Sequence, residues 1–220
     1  MTPGAAVPAG GERWGAFTID RPSRFVVAWA SGRRDRALAQ TLVRTTRERT
    51  AGRVGIAWVS DGWTPYGEVI EEVYRDPLPA VGLPWEVLLP TPGVTLTQVV
   101  KHRQGRRLER VEVRATLGEQ AAQPHTVQVE RQNGVLRDRL ACLTRKTHAF
   151  AKVPENWDAC LSLALFEHNW VLPHVALRVP LDAPAGDRRY AQRTPAMALG
   201  LSDRAWSLAD LLTHPVYHGK

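Results

Sequence analysis

The stretch "VGIAWVSDGWTPYGEVIEEVY", Val54 to Tyr74, constrains the fold more than any other part of the chain. A short apolar run from Val54 to Val59 reads as a buried strand that ends on Asp61 and Gly62. Thr64 and Pro65 then open a helix, with Thr64 as the expected N-cap and Pro65 in the first helical position. A strand feeding directly into a helix is the repeating step of α/β architecture, and the carboxyl end of such a strand is where these sheets present functional side chains. Asp61 stands at that end.

The flanking segments supply the other elements. "RWGAFTI" and "RFVVAWAS" are separated by the turn residues of "DRPS", which predicts a β-hairpin with Asp20 in its bend. Arg33 to Thr50 predicts an amphipathic helix with Ala37, Leu38, Leu42 and, less regularly, Thr45 on its apolar stripe, and Asp35 as its cap. From Asp76 to Pro92 proline rises and periodicity disappears, as in a surface connection. "VTLTQVVKHRQGRRLERVEVRAT" alternates on both sides of "RQGRR", predicting a second hairpin with a basic tip, "KHRQGRR", which reads at least as readily as a solvated turn as it does as a DNA contact. A helix then starts near His125 and runs through "VERQNGVLRDRLACLTRKTHAF", with Glu130 at its head pointing inward and Leu136, Leu140 and Leu143 as its buried stripe. "PENWDACLSLALFEHNWVL" continues as another helix, and "SDRAWSLADLL" closes the chain with a short one capped by Ser202 or Asp203. The expected organisation is a disordered lead-in over 1–12, an α/β core over 13–175 and a tail over 176–220.

Charge narrows the partners. The chain carries 29 Lys+Arg against 22 Asp+Glu, a net +7, and the cations are mostly arginine, which favours planar, bidentate contacts such as phosphate oxygens. The start lacks the basic and apolar segments of a signal peptide, and the longest apolar run, Cys160 to Phe166, stops at Glu167. A cytoplasmic protein without a membrane span is the expectation. Cys142 and Cys160 lack the spacing of a metal-binding pair and read as buried thiols. His214 and His218 are four apart, but Pro215 and Gly219 argue against a helix presenting both to a metal.

Taken alone, Asp61 is either a functional carboxylate or an acceptor for backbone donors where a strand meets its helix, and Glu130 is either functional or a favourable charge at a helix start. Trp63 and Tyr66 read as core aromatics or as the lining of a DNA groove. The order of hairpin, helix, strand with terminal Asp, helix, insertion and acid-bearing helix fits a ribonuclease-H-like α/β fold, a mixed sheet flanked by helices. In that fold carboxylates converge to hold two divalent metals for in-line attack on a phosphodiester.

Three segments also carry a family resemblance: "VSDGWTPY", "VERQNGVLRDRLACLTRKTHAFAK" and "RTPAMALGL". Over about Trp14 to Leu201 the chain resembles bacterial insertion-sequence transposases of the DDE type, nearest the small, first-described family. The resemblance implies metal-dependent DNA cleavage and strand transfer during transposition, with Asp61 as the second catalytic acid and Glu130 as the third. It further implies Mg²⁺ or Mn²⁺ in a two-metal site, and DNA as partner, bound by a homo-oligomer. Arg137, seven residues after Glu130, would contact donor DNA, with Arg131, Arg145 and Lys146 as further phosphate contacts. In the family the first acid lies just upstream of the hairpin, whereas here residues 1–13 hold only Glu12 as an acid. The first, central strand is therefore expected to be missing and the chain to be truncated at its start. The hairpin should then stand apart from the Val54 to Val59 strand or collapse against it. The alternative is a non-enzymatic remnant that binds DNA or full-length transposase. A cellular nuclease of the same fold is disfavoured by "RTPAMALGL".

Overall fold

The computed structural model describes residues 13–53, 55–78, 87–144, 148, 151, 153–186 and 188–214. Residues 1–12 and Val54 are outside that set. The chain divides into two compact units: among the described residues, one holds 13–18 and 28–131, the other 19–27 and 132–214.

The first hairpin forms as expected, from β1 (Trp14–Ile19) and β2 (Val26–Gly32). Its bend is closed by Asp20, whose carboxylate accepts from the Ser23 backbone N–H at 3.0 Å and from the Ser23 hydroxyl. The helix that follows, α1 (Arg36–Arg49), is capped by Asp35, which accepts from Leu38 N at 3.1 Å. Its buried stripe is Leu38, Ala39, Leu42, Val43 and Thr46, so Thr46 replaces the expected Thr45 and Ala37 is exposed. The stripe is displaced because α1 covers two surfaces. Leu38 and Leu42 pack on Ala28 and Ala30 of the hairpin, while Ala39 and Val43 join the core beneath the next sheet.

That sheet is built on β3 (Ala57–Asp61), which leads into α2 (Thr64–Val73). Trp63, not Thr64, is the N-cap, and Thr64 is the first helical residue. Part of the predicted surface connection is a short antiparallel ladder of β4 (Arg75–Pro77) and β5 (Leu88–Pro90). The second hairpin is long: β6 (Thr95–Gln104) pairs antiparallel with β7 (Arg107–Leu117), and Gly105 takes the left-handed φ of 58° that its tight turn needs. β6 also pairs parallel with β3, giving a mixed sheet in the order β3-β6-β7. Among the described residues the other edge of β3 is unpaired, and of its residues only Ser60 is buried, which corrects the expectation of a fully buried strand. α1 and α2 cover one face of this sheet, where Val69, Ile70, Val73 and Tyr74 meet Leu96 and Trp58.

The architecture is mixed α/β. The hairpin β1-β2 and the sheet β3-β6-β7 share no ladder among the described residues, and no continuous ribonuclease-H-type sheet is formed there.

α3 (Val127–Arg139) ends well before Phe150. Leu140 turns extended, at φ −113° and ψ 100°, and a single 3₁₀ turn follows over Ala141–Leu143. The Thr144 hydroxyl donates to the Arg137 carbonyl at 2.9 Å and satisfies one of the acceptors that a helix end leaves open. Leu136 is therefore buried, whereas Leu140 and Leu143 are only half-buried.

α4 (Pro154–Phe166) continues as one π-helical turn over Glu167–Val171, which brings His168 and Asn169 into the interior. A hairpin of β8 (Val179–Ala185) and β9 (Arg188–Ala191) and the short α5 (Pro195–Ala198) follow. The final helix, α6 (Leu208–Thr213), is capped by Ser207 in a capping box with Asp210, rather than by Ser202 or Asp203. Ser202 instead accepts from the Trp206 indole N–H at 3.1 Å. Cys142 is half-buried and Cys160 exposed, against the expectation of two buried thiols. No helix among the described residues is long and apolar enough to cross a membrane.

Candidate functional site

Strand pleating brings the two sequence-predicted acids to one side of the mixed sheet. In the parallel register Asp61 lies opposite Val99, so the two side chains share a face, as do Lys101 and Arg103 further along β6. Trp58 and Leu96 alternate with these positions and occupy the face under α1 and α2. Glu130, in the first turn of α3, reaches Lys101 and forms an ion pair with its ammonium. The face opposite the α1–α2 core thus carries Asp61 at the end of β3, Lys101 and Arg103 on β6, and Glu130 above them.

Glu130 is not inward. Its side chain is 52% exposed, and besides Lys101 it accepts from the Thr126 hydroxyl at 2.6 Å. Partial desolvation works to raise its pKa, but the Lys101 and Thr126 hydrogen bonds and the charges of Lys101 and Arg103 outweigh it, so the carboxyl lies below its ordinary value.

Asp61 is exposed, and its Oδ1 accepts from the Trp63 backbone N–H at 3.2 Å. The strand-to-helix turn is tight: a Cβ on Gly62 would come within 2.9 Å of a Val100 methyl. The Arg34 guanidinium sits 4.8 Å from the Trp14 ring centroid and 5.3 Å from that of Trp63. Tyr66 meets Trp63 edge-on at 5.0 Å. Burial first, then the negative charge of Asp61, push the Tyr66 hydroxyl up to about 12 against the opposing pull of Arg34. Trp63 and Tyr66 are core aromatics that also support this arginine.

Of the other predicted residues, Arg131 is exposed and makes no ion pair among the described residues. Arg137 is likewise exposed two helical turns after Glu130, and belongs to the other unit. Arg145 and Lys146 lie outside the described residues. Lys101 and Arg103 fall in the basic hairpin tip that the sequence offers as a solvated turn or a DNA contact, while Arg34 escaped the sequence reading as a site residue. The signal for Lys101 and Arg103 was their even spacing from Val99 in an alternating strand; for Arg34 there was none, because its neighbours come from distant segments.

The donor set is smaller than a two-metal clamp uses. It offers two carboxylates, one ion-paired and one holding a backbone N–H, and no group of three or more His, Cys, Asp or Glu side chains among the described residues is placed to hold a metal. The pair of Mg²⁺ or Mn²⁺ ions implied by the resemblance does not fit these residues. Family models, curated proteins and solved structures yielded no match to the chain.

Proposed function

We propose that this chain is a DNA-acting protein related to the DDE transposases, with Asp61 and Glu130 as the second and third acids of a ribonuclease-H-like core. The observation that carries the reading is the placement of both acids on one face of a mixed sheet, at a strand end and a helix start, with β6 parallel to β3 between them. Lys101 and Arg103 on the same face, with Arg131 in α3, supply positive charge for backbone phosphates, and in the other unit Arg137 is a further candidate phosphate contact. DNA is the partner, bound by a homo-oligomer in the cytoplasm.

Cleavage and strand transfer demand in-line attack on a phosphodiester, with charge stabilised at both the entering and leaving oxygens. Two carboxylates, one of them neutralised by Lys101, do not meet that demand, so the chain by itself binds DNA without joining it. The Lys101–Glu130 ion pair also favours the second reading, a non-enzymatic chain that binds DNA or full-length transposase subunits.

The test is the affinity of the purified chain for a short duplex across salt. Each neutralised phosphate releases counterion, so binding should weaken steeply between ~50 and ~200 mM salt and show little sequence preference. Affinity that does not change over that range contradicts the proposal. Joining of a pre-cut element end to target DNA, abolished by Asp61→Asn, would contradict the claim that the chain does not join DNA.

A further inference from the structure

The second hairpin outruns its sheet. β3 stops at the Asp61↔Val99 pair, yet β6 and β7 continue for five more pairs, from Val100↔Glu112 to Gln104↔Arg107. At ~3.4 Å per residue this is a two-stranded ribbon about 17 Å long that extends past the end of β3. It carries Lys101, Arg103, Arg106, Arg107 and Arg110, against Glu109 and Glu112. Glu112 is fully engaged: hydrogen bonds from Arg114 first and then His102 bring its carboxyl down to about 2, and Arg110 adds a third partner at 3.3 Å. Lys101 is held by Glu130. Arg103, Arg106 and Arg107 remain, all exposed and none ion-paired among the described residues; the guanidinium of Arg103 donates to the Arg106 carbonyl at 3.5 Å and its charge also acts on Glu130 without an ion pair.

Basic residues on a free strand also serve to block edge-to-edge association, and β7 is an edge strand. That role calls for charge along the free edge, whereas these three arginines cluster at the tip on either side of the tight turn. A two-stranded ribbon also matches the ~12 Å width of the DNA major groove, where arginines reach the flanking phosphates bidentately. At its root the ribbon carries Lys101, whose ion pair with Glu130 joins it to the face that holds Asp61.

We infer that the β6–β7 ribbon is an arm that docks on duplex DNA through Arg103, Arg106 and Arg107 and leads the duplex onto the Asp61–Glu130 face. This rests on the DNA-binding reading above. It is tested by replacing Arg103, Arg106 and Arg107 together with Gln and, separately, together with Lys, then measuring duplex affinity across salt by fluorescence anisotropy. The residues are exposed, so thermal unfolding should match the unaltered chain. The Gln variant should bind at least ~10-fold more weakly at ~100 mM salt, with a log–log salt slope shallower by ~0.9 for each phosphate that is no longer neutralised, and the Lys variant should recover most of both. A Gln variant that keeps full affinity and slope, while the unaltered chain binds duplex, overturns the arm and leaves the DNA-binding reading intact. An unaltered chain with no affinity for duplex overturns both.

Discussion

Asn169 shows how far one side chain reaches. Its amide oxygen accepts from the Val26 N–H at 2.8 Å and its amide nitrogen donates to the Val26 carbonyl at 2.9 Å, so it acts as one rung of a ladder on the β2 edge. Asn169→Ala leaves two buried backbone groups unpaired and should cost about 2–4 kcal/mol in urea unfolding. A loss under about 0.5 kcal/mol would show that water replaces the amide at no cost. The Lys101–Glu130 pair is weaker because half of the Glu130 side chain is in solvent. The Glu130 carboxyl is lowered in the folded chain, so its stabilisation is present above the ordinary 4.5 and is lost as pH falls through the folded value. Lys101→Met should therefore destabilise by roughly 0.2–1 kcal/mol at neutral pH and by nothing measurable once the carboxyl is protonated, as followed by melting temperature against pH. The positions of Asp61 at a strand end and of Glu130 in the first turn of a helix were legible in the sequence because both are local patterns, whereas the exposure of Glu130 was not. That Lys101 shares a face with Asp61 and pairs with Glu130 became visible only through the register that sets β6 against β3, and Arg34 through a meeting of Trp14 and Trp63 that lie 49 residues apart.

At the scale of elements, the hairpins follow the alternation of their residues closely, and α1 forms where its spacing predicts but with its buried stripe displaced. α3 departs from its pattern. Its leucine stripe continues to Leu143, but the helix stops at Arg139, where the Thr144 hydroxyl caps the carbonyl of Arg137. That hydrogen bond comes after the helix has ended and leaves no periodic mark in the sequence. The helix also carries an interior glycine at Gly134, where an added Cβ meets nothing within 4 Å. Gly134→Ala should stabilise the protein by about 0.5–1 kcal/mol. Gly62→Ala should do the reverse, since its Cβ would fall 2.9 Å from a β-branched Val100 at the turn that holds Asp61. Melting temperatures that shift the same way for both variants would contradict this account of the two glycines.

For the whole molecule, the α/β class was legible from the strand-to-helix step at Asp61, while the sheet arrangement was not. Whether β1 and β3 belong to one sheet depends on what lies between them, and no local pattern specifies that; the described residues place the two strands in separate sheets. On the proposed reading, Asp61 and Glu130 lie on the face where DNA passes. Duplex affinity in metal-free buffer tests it most directly, because a carboxylate beneath a phosphate backbone repels it. Neutralising the acids by Asp61→Asn and Glu130→Gln should raise affinity about 2–5-fold each at ~50 mM salt, the second partly by freeing Lys101, with the gain shrinking as salt screens the charges. Glu48→Gln, an exposed acid on α1 against the opposite face, should have no more than the small effect of one unit of net charge. Equal affinities for all three variants and the unaltered chain would contradict the claim.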